Sequence, residues 1–158
     1  MAAVENLPLE QIMTIEEVTE KLKQPFPPED HEIRDLPGGK KWVYIRWQKI
    51  RSRLHQACPD WQVSYSDPNY LEDYCFVKCK ITIAGVSREA IGNAKIQQLS
   101  KSGNDMSRGT PIERAIADAF KNAAECFGVG AYIDDQEYVV RYLHRKNDPR
   151  WRTLKQQM

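Results

Sequence analysis

The sequence contains no long apolar segment and no cysteine pair with CxxC spacing. No run approaches the roughly 18 apolar residues that a membrane-spanning helix needs, and the acidic first residues do not resemble a secretory signal. The four cysteines include no CxxC pair. We expect all four to be reduced and structural, as is usual in a cytosolic protein. These absences predict a soluble, cytoplasmic protein.

The motifs of common enzyme classes are also missing. The chain has no GxGxxG, GxxxxGK[ST], HExxH or GxSxG. Its three histidines lie far apart in the sequence, and a lone histidine is usually structural or solvated. The local acidic cluster of Asp134, Asp135 and Glu137 resembles an ordinary surface more than a metal site or a nuclease centre. We predict that the protein is not an enzyme and needs no cofactor or metal.

Charge is balanced overall but segregated along the chain. The 158 residues are 41% hydrophobic and carry a formal net charge of +1, which suits one domain with a real core. Residues 1–33 carry eight acids and two bases, residues 34–53 seven bases and one acid, and residues 141–155 six bases and one acid. This pattern fits a polyanionic partner, charge-driven self-association, or simply solvated faces.

Hydrophobic periodicity predicts an α+β protein. Helical spacing is found in two segments, 14–24 and 47–58, and alternation typical of strands in three, 61–66, 74–85 and 86–94. Residues 41–45 either form a further strand or lead directly into the second helix. Strands joined by short links favour an antiparallel meander. Residues 67–73 and 95–109 are predicted to be loops.

The strongest local signal is a long alanine-rich helix that begins after Thr110. Thr110, Pro111 and Glu113 form a capping box with proline at the first helical position, and Gly128 marks the end. Cys126 lies in this apolar segment and is expected to be a small core residue. The apolar face comprises Ile112, Ala115, Ile116, Ala119, Phe120, Ala123 and Phe127.

The end of the chain is apolar at first and then charged. Residues 137–146 have the pattern of a short amphipathic helix, and the remainder is expected to be mobile. We therefore predict a functional and oligomerising domain over residues 1–140, followed by a basic, mobile tail over residues 141–158.

Basic and aromatic residues alternate in residues 40–53. Single strands are bound by a basic groove with aromatic platforms, so this segment indicates nucleic-acid binding. The alternative is that the aromatic side chains belong to the core. Helical spacing with Ile50 and Leu54 favours a core position for Trp47. For Trp42 and Tyr44 both alternatives, core packing and nucleic-acid binding, remain.

Three stretches together resemble the Rad-fifty-two-type single-strand annealing proteins. They are Arg34 with a Gly-rich turn and WVYI, a strand pair ending in SREAIGNA, and IERAIADAFKNAAECFGVGAYI at residues 112–133. The resemblance covers residues 14–135 and is to the bacterial branch, which includes DNA-damage-response protein A. It implies a β-β-β-α core, an antiparallel three- to four-stranded sheet crossed by the long helix, a ring of many subunits, and annealing of single-stranded DNA without a cofactor.

The resemblance also implies a DNA site. Arg34 and Lys121 match bases of the family's inner groove, whereas Asn122 and Glu125 replace arginines that annealing members often carry. Fewer bases neutralise fewer phosphates, which favours weaker binding or end protection. The full set of predicted DNA-binding residues is Arg34, Lys40, Lys41, Lys78, Lys80, Lys101, Arg108 and Lys121.

Three functions remain in competition at this point. The first is an annealing ring in recombination and repair, which could work with a single-strand-binding protein or a recombinase. The second is a relative that protects single-stranded ends and anneals poorly. The third is a self-assembling scaffold without a DNA role, in which acidic residues 1–33 of one subunit contact basic residues 34–53 of the next.

Overall fold

The computed structural model describes residues 13–158 and confirms an α+β fold with antiparallel sheets. Two short 3-10 turns, Pro28–Asp30 and Ala131–Asp134, join some of its elements. The helices and strands in chain order are α1 Ile15–Leu22, β1 His31–Asp35, β2 Lys41–Ile45, α2 Trp47–Ala57, β3 Gln62–Tyr65, β4 Asn69–Leu71, β5 Tyr74–Ile83, β6 Val86–Lys95, α3 Pro111–Glu125, α4 Gln136–Arg145 and α5 Trp151–Lys155.

The main sheet is built around β5. Strand β6 pairs with β5 along its whole length, and β3 and β4 pair with successive parts of its other edge, all antiparallel. The predicted hairpin at Ala84-Gly85 is confirmed, with positive φ angles of 48° and 77° at its two residues. Strand β4 falls in a segment that was predicted to be a loop. Its three residues are too few for a periodic signal, so only the pairing with β5 defines it as a strand.

Strands β1 and β2 form a separate two-stranded hairpin. The strand over residues 41–45 is therefore real, and Gly38 and Gly39 turn the chain with positive φ angles. Strand β1 was not predicted, because HEIRD has no clear apolar alternation. Pairing with β2 makes successive side chains of β1 point to opposite faces. His31 is buried and Ile33 packs on the core, whereas Arg34 is exposed.

The face of β5 that α3 covers is set by simple alternation. Val77, Cys79 and Ile81 are buried, and Lys78 and Lys80 are exposed on the opposite face, as the sequence predicted. Burial raises the pKa of the Cys79 thiol to about 12, so this thiol is protonated at neutral pH and acts as a core residue.

Helix α3 begins as its sequence predicts. The Thr110 hydroxyl accepts the backbone N–H of Glu113, and the Glu113 carboxylate accepts that of Thr110, which completes the capping box. The same arrangement of Thr14 and Glu17 begins α1. Gly128, with a φ of 89°, lets the chain leave α3 in the left-handed conformation.

Small residues allow α3 to lie very close to β6. Ala115, Ala119 and Ala123 are fully buried. At Gly92 a Cβ atom would lie 2.0 Å from the Ala119 backbone nitrogen and 2.6 Å from the Ala115 carbonyl oxygen. Position 92 therefore accepts glycine alone without movement of the helix backbone.

The prediction for Cys126 was wrong. Its side chain is exposed and its thiol lies 3.4 Å from the Asn122 carbonyl oxygen. The buried positions at this end of α3 are Ala123, Ala124 and Phe127. Residue 126 therefore faces away from the core, although its sequence neighbours are apolar.

The segment after residue 140 is packed on the rest of the chain. Leu154 of α5 is only 4% exposed. The Arg150 guanidinium donates to the carbonyl oxygens of His31 and Pro28 and pairs with Asp148. The sequence pattern predicts a mobile tail here, because the charged residues conceal the spacing of the few apolar ones. The domain boundary at residue 140 stays a prediction.

We expect Gly92→Ala to lower the free energy of unfolding by about 3 kcal/mol, because the added methyl group meets helix backbone rather than a movable side chain. Urea denaturation measures this change. Ile91→Val, on the exposed neighbouring residue, is the matched control and should change stability by less than about 0.5 kcal/mol. Equal stability of Gly92→Ala and the parent chain would show that α3 does not lie this close to β6.

Candidate nucleic-acid interface

A groove separates the β1–β2 hairpin from helix α3 and strand β6. One part of it is a cavity of about 330 Å³ whose lining includes four basic side chains and two aromatic ones. We call this part the basic groove. Its charged and aromatic lining comprises Arg34, Tyr44, Arg46, Trp47, Arg114 and Lys121, with Asp118 as the one acid among the residues that the structure describes.

The fold brings Arg34 and Lys121 to the same groove, although they are far apart in the sequence. Arg34 is exposed on β1, and its guanidinium carbon lies 5.6 Å from the centre of the Tyr44 ring. Lys121 projects from the last turns of α3 and is half-buried. Two cationic groups beside an aromatic ring form a surface that suits a phosphate backbone with adjacent bases.

The three aromatic residues of the basic segment have different environments. Trp47 is partly buried and packs edge-on against Phe120 with a centroid distance of 5.9 Å, which confirms its assignment to the core. Trp42 and Tyr44 are half-buried and line the groove. They share a strand face with Arg34, because Arg34 is opposite Trp42 in the hairpin register.

Arg46 lines the groove but is absent from the predicted set. Its Nε donates to a Glu32 carboxylate oxygen at 2.7 Å, and this hydrogen bond is the main reason that the pKa of Glu32 is lowered. Arg46 is an exposed residue. A surface ion pair of this kind contributes little to stability, so a phosphate group can replace Glu32 as its partner.

Arg114 was missed entirely by the sequence analysis. Its guanidinium donates to carbonyl oxygens at both ends of the loop 96–109 and at the end of β6: Lys95, Ile96, Arg108 and Gly109. It therefore closes the loop where the loop meets the groove. Its acceptors are all backbone atoms, so no residue pattern in the sequence indicates this role.

The other predicted site residues lie outside the basic groove. Lys40 and Lys41 are at the start of β2, where Lys41 Nζ pairs with Asp35 at 2.5 Å. Lys101 and Arg108 are exposed on the loop 96–109, whose Gln98 reaches the groove lining. Lys78 and Lys80 project from the sheet face opposite α3. The structure brings together only Arg34 and Lys121 of the predicted set, and every one of these assignments stays a prediction.

The groove continues into a cavity with acidic walls. Asp118, Glu125 and Asp134 line this second part, together with Arg34 and Lys121. Burial raises the pKa of Glu125, the nearby carboxylates of Asp134 and Asp118 raise it further, and Lys121 opposes them. The groove thus has a basic half and an acidic half, and Arg34, Tyr44, Asp118 and Lys121 line both.

A ridge of α3 covers the outer edge of β6. Arg114, Asp118 and Asn122 follow one another at intervals of one turn. They hydrogen-bond in order to the Lys95 carbonyl, the Asn93 N–H at 2.9 Å and the Ile91 carbonyl at 3.0 Å. The Asn122 side chain is therefore committed to the sheet edge.

The histidine, cysteine and acidic side chains of residues 13–158 are dispersed, and the buried His31 is held by hydrogen bonds within the core. No group of three or more histidine, cysteine or acidic side chains there could hold a metal ion. His31 is buried between the Pro27 carbonyl and the Tyr132 hydroxyl, at 2.9 and 2.8 Å, and its burial lowers its pKa. Over the same residues, no helix combines the length and apolarity needed to span a bilayer.

Comparison with known proteins gives consistent matches. A model described as "Rad52/22 family double-strand break repair protein" matches residues 14–152. The single-stranded DNA-binding protein DdrA of Deinococcus deserti is 31% identical over 134 residues, which cover 78% of this chain and 59% of that protein. DdrA of Deinococcus radiodurans is 26% identical over 132 residues, which cover 78% of this chain and 57% of that protein. The chain spans about three fifths of the length of both relatives.

We expect Arg114→Gln to loosen the loop 96–109, because glutamine cannot supply donors to carbonyl groups at both ends of the loop. Hydrogen–deuterium exchange should then become faster in this loop and along the neighbouring edge of β6. Lys95→Gln is the matched control, since it also replaces a nearby base but leaves the guanidinium contacts intact. Unchanged exchange in Arg114→Gln would contradict the closing role of this side chain.

Proposed function

The chain belongs to the Rad52/22 family of double-strand break repair proteins, and on this premise we propose that it binds single-stranded DNA in the basic groove during recombinational repair. The observation that supports this most directly is the convergence of Arg34 and Lys121 on one groove from two separate elements. The names of the two DdrA relatives describe the same ligand. Binding a strand, or pairing it with its complement, makes and breaks no covalent bond, so the proposed function needs no catalytic side chain.

The charges that line the groove support a path for single-stranded DNA through its basic half. Arg34, Arg46 and Lys121 supply positive charge there, while Tyr44 offers a ring on which a base can stack. Phosphate groups are repelled from the half that contains Glu125 and Asp134. The strand therefore enters along the hairpin and β6 and leaves before it reaches the C-terminal end of α3.

We propose that the active form is a homo-oligomer, in the shape of a ring, that anneals complementary strands. A ring places the basic grooves of successive subunits in a row, so that one strand contacts many of them and the modest affinity of each groove is multiplied. The loop 96–109, with Lys101 and Arg108, lies beside the groove and is available to a second strand.

A second candidate is protection of single-stranded ends with little annealing. Two observations favour it: Asn122 bonds to the sheet edge instead of to DNA, and Glu125 adds negative charge to the groove. An annealing assay with complementary oligonucleotides separates the candidates. Faster duplex formation than in buffer alone supports annealing, whereas tight strand binding without acceleration supports end protection. Assembly without any strand binding would leave only a scaffold.

We expect Arg34→Ala and Lys121→Ala each to weaken binding of a labelled single-stranded oligonucleotide about tenfold at low salt, or about 1.4 kcal/mol. Each should also reduce the salt dependence by about 0.7 in the slope of log affinity against log salt, since one phosphate contact is lost. Fluorescence anisotropy, with a matched duplex for comparison, measures both quantities.

Two further variants test where on the protein the single-stranded DNA binds. Lys21→Ala, on α1, removes an exposed base that does not line the groove and should have no effect. Lys80→Ala tests the outer face of the sheet. Loss of affinity in Lys80→Ala, with normal affinity in Arg34→Ala and Lys121→Ala, would move the site to the outer face.

We expect acidification to strengthen strand binding as the pH falls through the raised pKa of Glu125, because a neutral carboxyl group no longer repels phosphate. Glu125→Gln should bind more tightly at neutral pH and should lose most of this pH response. Anisotropy titrations over a pH series measure it. Glu137→Gln, at an exposed acid on α4 outside the groove, is the control. An identical pH response in Glu125→Gln and the parent chain would contradict the electrostatic role of Glu125.

A further inference from the structure

Most strand edges in this protein are closed by side chains. The ridge of Arg114, Asp118 and Asn122 covers β6. The Gln136 amide both accepts the N–H and donates to the carbonyl of Val43 on β2, at 2.9 and 3.0 Å. Such covering is how proteins prevent unwanted strand pairing.

The edge formed by β3 and β4 is the exception. Within the part of the chain that the structure describes, no side chain hydrogen-bonds the backbone of either strand, and all their residues are exposed. Four large apolar side chains stand on it: Val63, Tyr65, Tyr70 and Leu71, exposed by 37, 40, 57 and 66%. An uncovered edge with this composition requires a partner or becomes an aggregation site.

The charge of this edge indicates what the partner carries. Residues 59–73 contain four acids, Asp60, Asp67, Glu72 and Asp73, and no base. None of these acids forms a salt bridge with another residue in 13–158. Pairing of the edge with itself in a symmetric dimer would bring like charges together, which costs several kcal/mol. The complementary surface must therefore be basic.

The same chain offers such a surface on α4 and α5. Arg145, Lys146, Arg152 and Lys155 are exposed there, and none of them has an acidic partner among the described residues. Beside them lies a cavity of about 550 Å³, lined by Val140, Trp151 and Met158 together with the polar side chains of Glu137, Arg141, His144 and Lys155. This basic helical face combines positive charge with a partly apolar groove, and so matches the acidic, apolar edge in both respects.

We propose that the β3–β4 edge of one copy docks on the basic helical face of a second copy, so that Tyr70 and Leu71 enter the groove beside Trp151. The two surfaces differ, and a contact between different surfaces repeats from copy to copy until the ring closes. The inference rests on the oligomer of the proposed function and names its contact surfaces. It also leaves the basic groove between the β1–β2 hairpin and α3 free for DNA.

Charge reversal in the full chain tests the contact, with sedimentation velocity as the readout. Asp60→Lys, Asp67→Lys, Glu72→Lys and Asp73→Lys together reverse the acidic edge, and Arg145→Glu, Lys146→Glu, Arg152→Glu and Lys155→Glu together reverse the basic face. Each set should raise the concentration for half-assembly at least tenfold, because attraction becomes repulsion. A chain that carries both sets again has opposite charges on the two surfaces and should reassemble.

Controls separate this contact from folding and from DNA binding. Glu16→Lys with Glu20→Lys reverses two exposed acids on α1 and should leave assembly intact, and circular dichroism checks that every variant is folded. Assembly that survives in both reversed sets, or a folded variant with both sets that stays monomeric, overturns the inference. So does a basic-face variant that loses oligonucleotide binding but still assembles, since that face then belongs to DNA. A parent chain that is monomeric at every concentration removes the proposed oligomer itself, while strand binding is judged separately by anisotropy.

Discussion

The close contact between α3 and β6 is the constraint on which the rest of the structure depends. Gly92 leaves no room for a side chain beneath Ala119, and the polar ridge of α3 then reaches the backbone of β6. Apolar burial against the sheet and polar bonds to its edge act on the same helix, so α3 has one position and one rotation. That rotation turns Lys121 toward the β1–β2 hairpin.

The same contact explains why residues that look functional have structural roles. Arg114 and Asn122 could have been read as DNA contacts, yet both hydrogen-bond to backbone carbonyl groups. Arg114 also lines the groove, but Lys121 is the base of α3 there whose side chain forms no hydrogen bond to a backbone carbonyl among the described residues. A groove with few free bases binds each stretch of strand weakly, and this makes repetition of the groove in an assembly important for the function that we propose.

Charge is organised on two scales in this protein. Within the groove, Arg34, Asp118 and Lys121 line both halves, and in the function that we propose the acids limit how far a phosphate backbone extends. Across the surface, the acidic β3–β4 edge and the basic helical face lie on different elements. A net charge of +1 therefore conceals two separate uses of charge that we propose: recognition of a polyanion and contact between copies.

The sequence by itself determined the elements whose signals are local. The capping boxes at Thr14 and Thr110, the alternation along β5 and the alanine face of α3 depend on residues within a few positions of one another, so they could be predicted. The family resemblance added the prediction that Arg34 and Lys121 are DNA-binding residues. Only the tertiary structure decided the strands β1 and β4, the packing of residues 141–158, the exposure of Cys126 and the role of Arg114. Each of these depends on atoms distant in the sequence or on backbone groups, which carry no residue-specific signal.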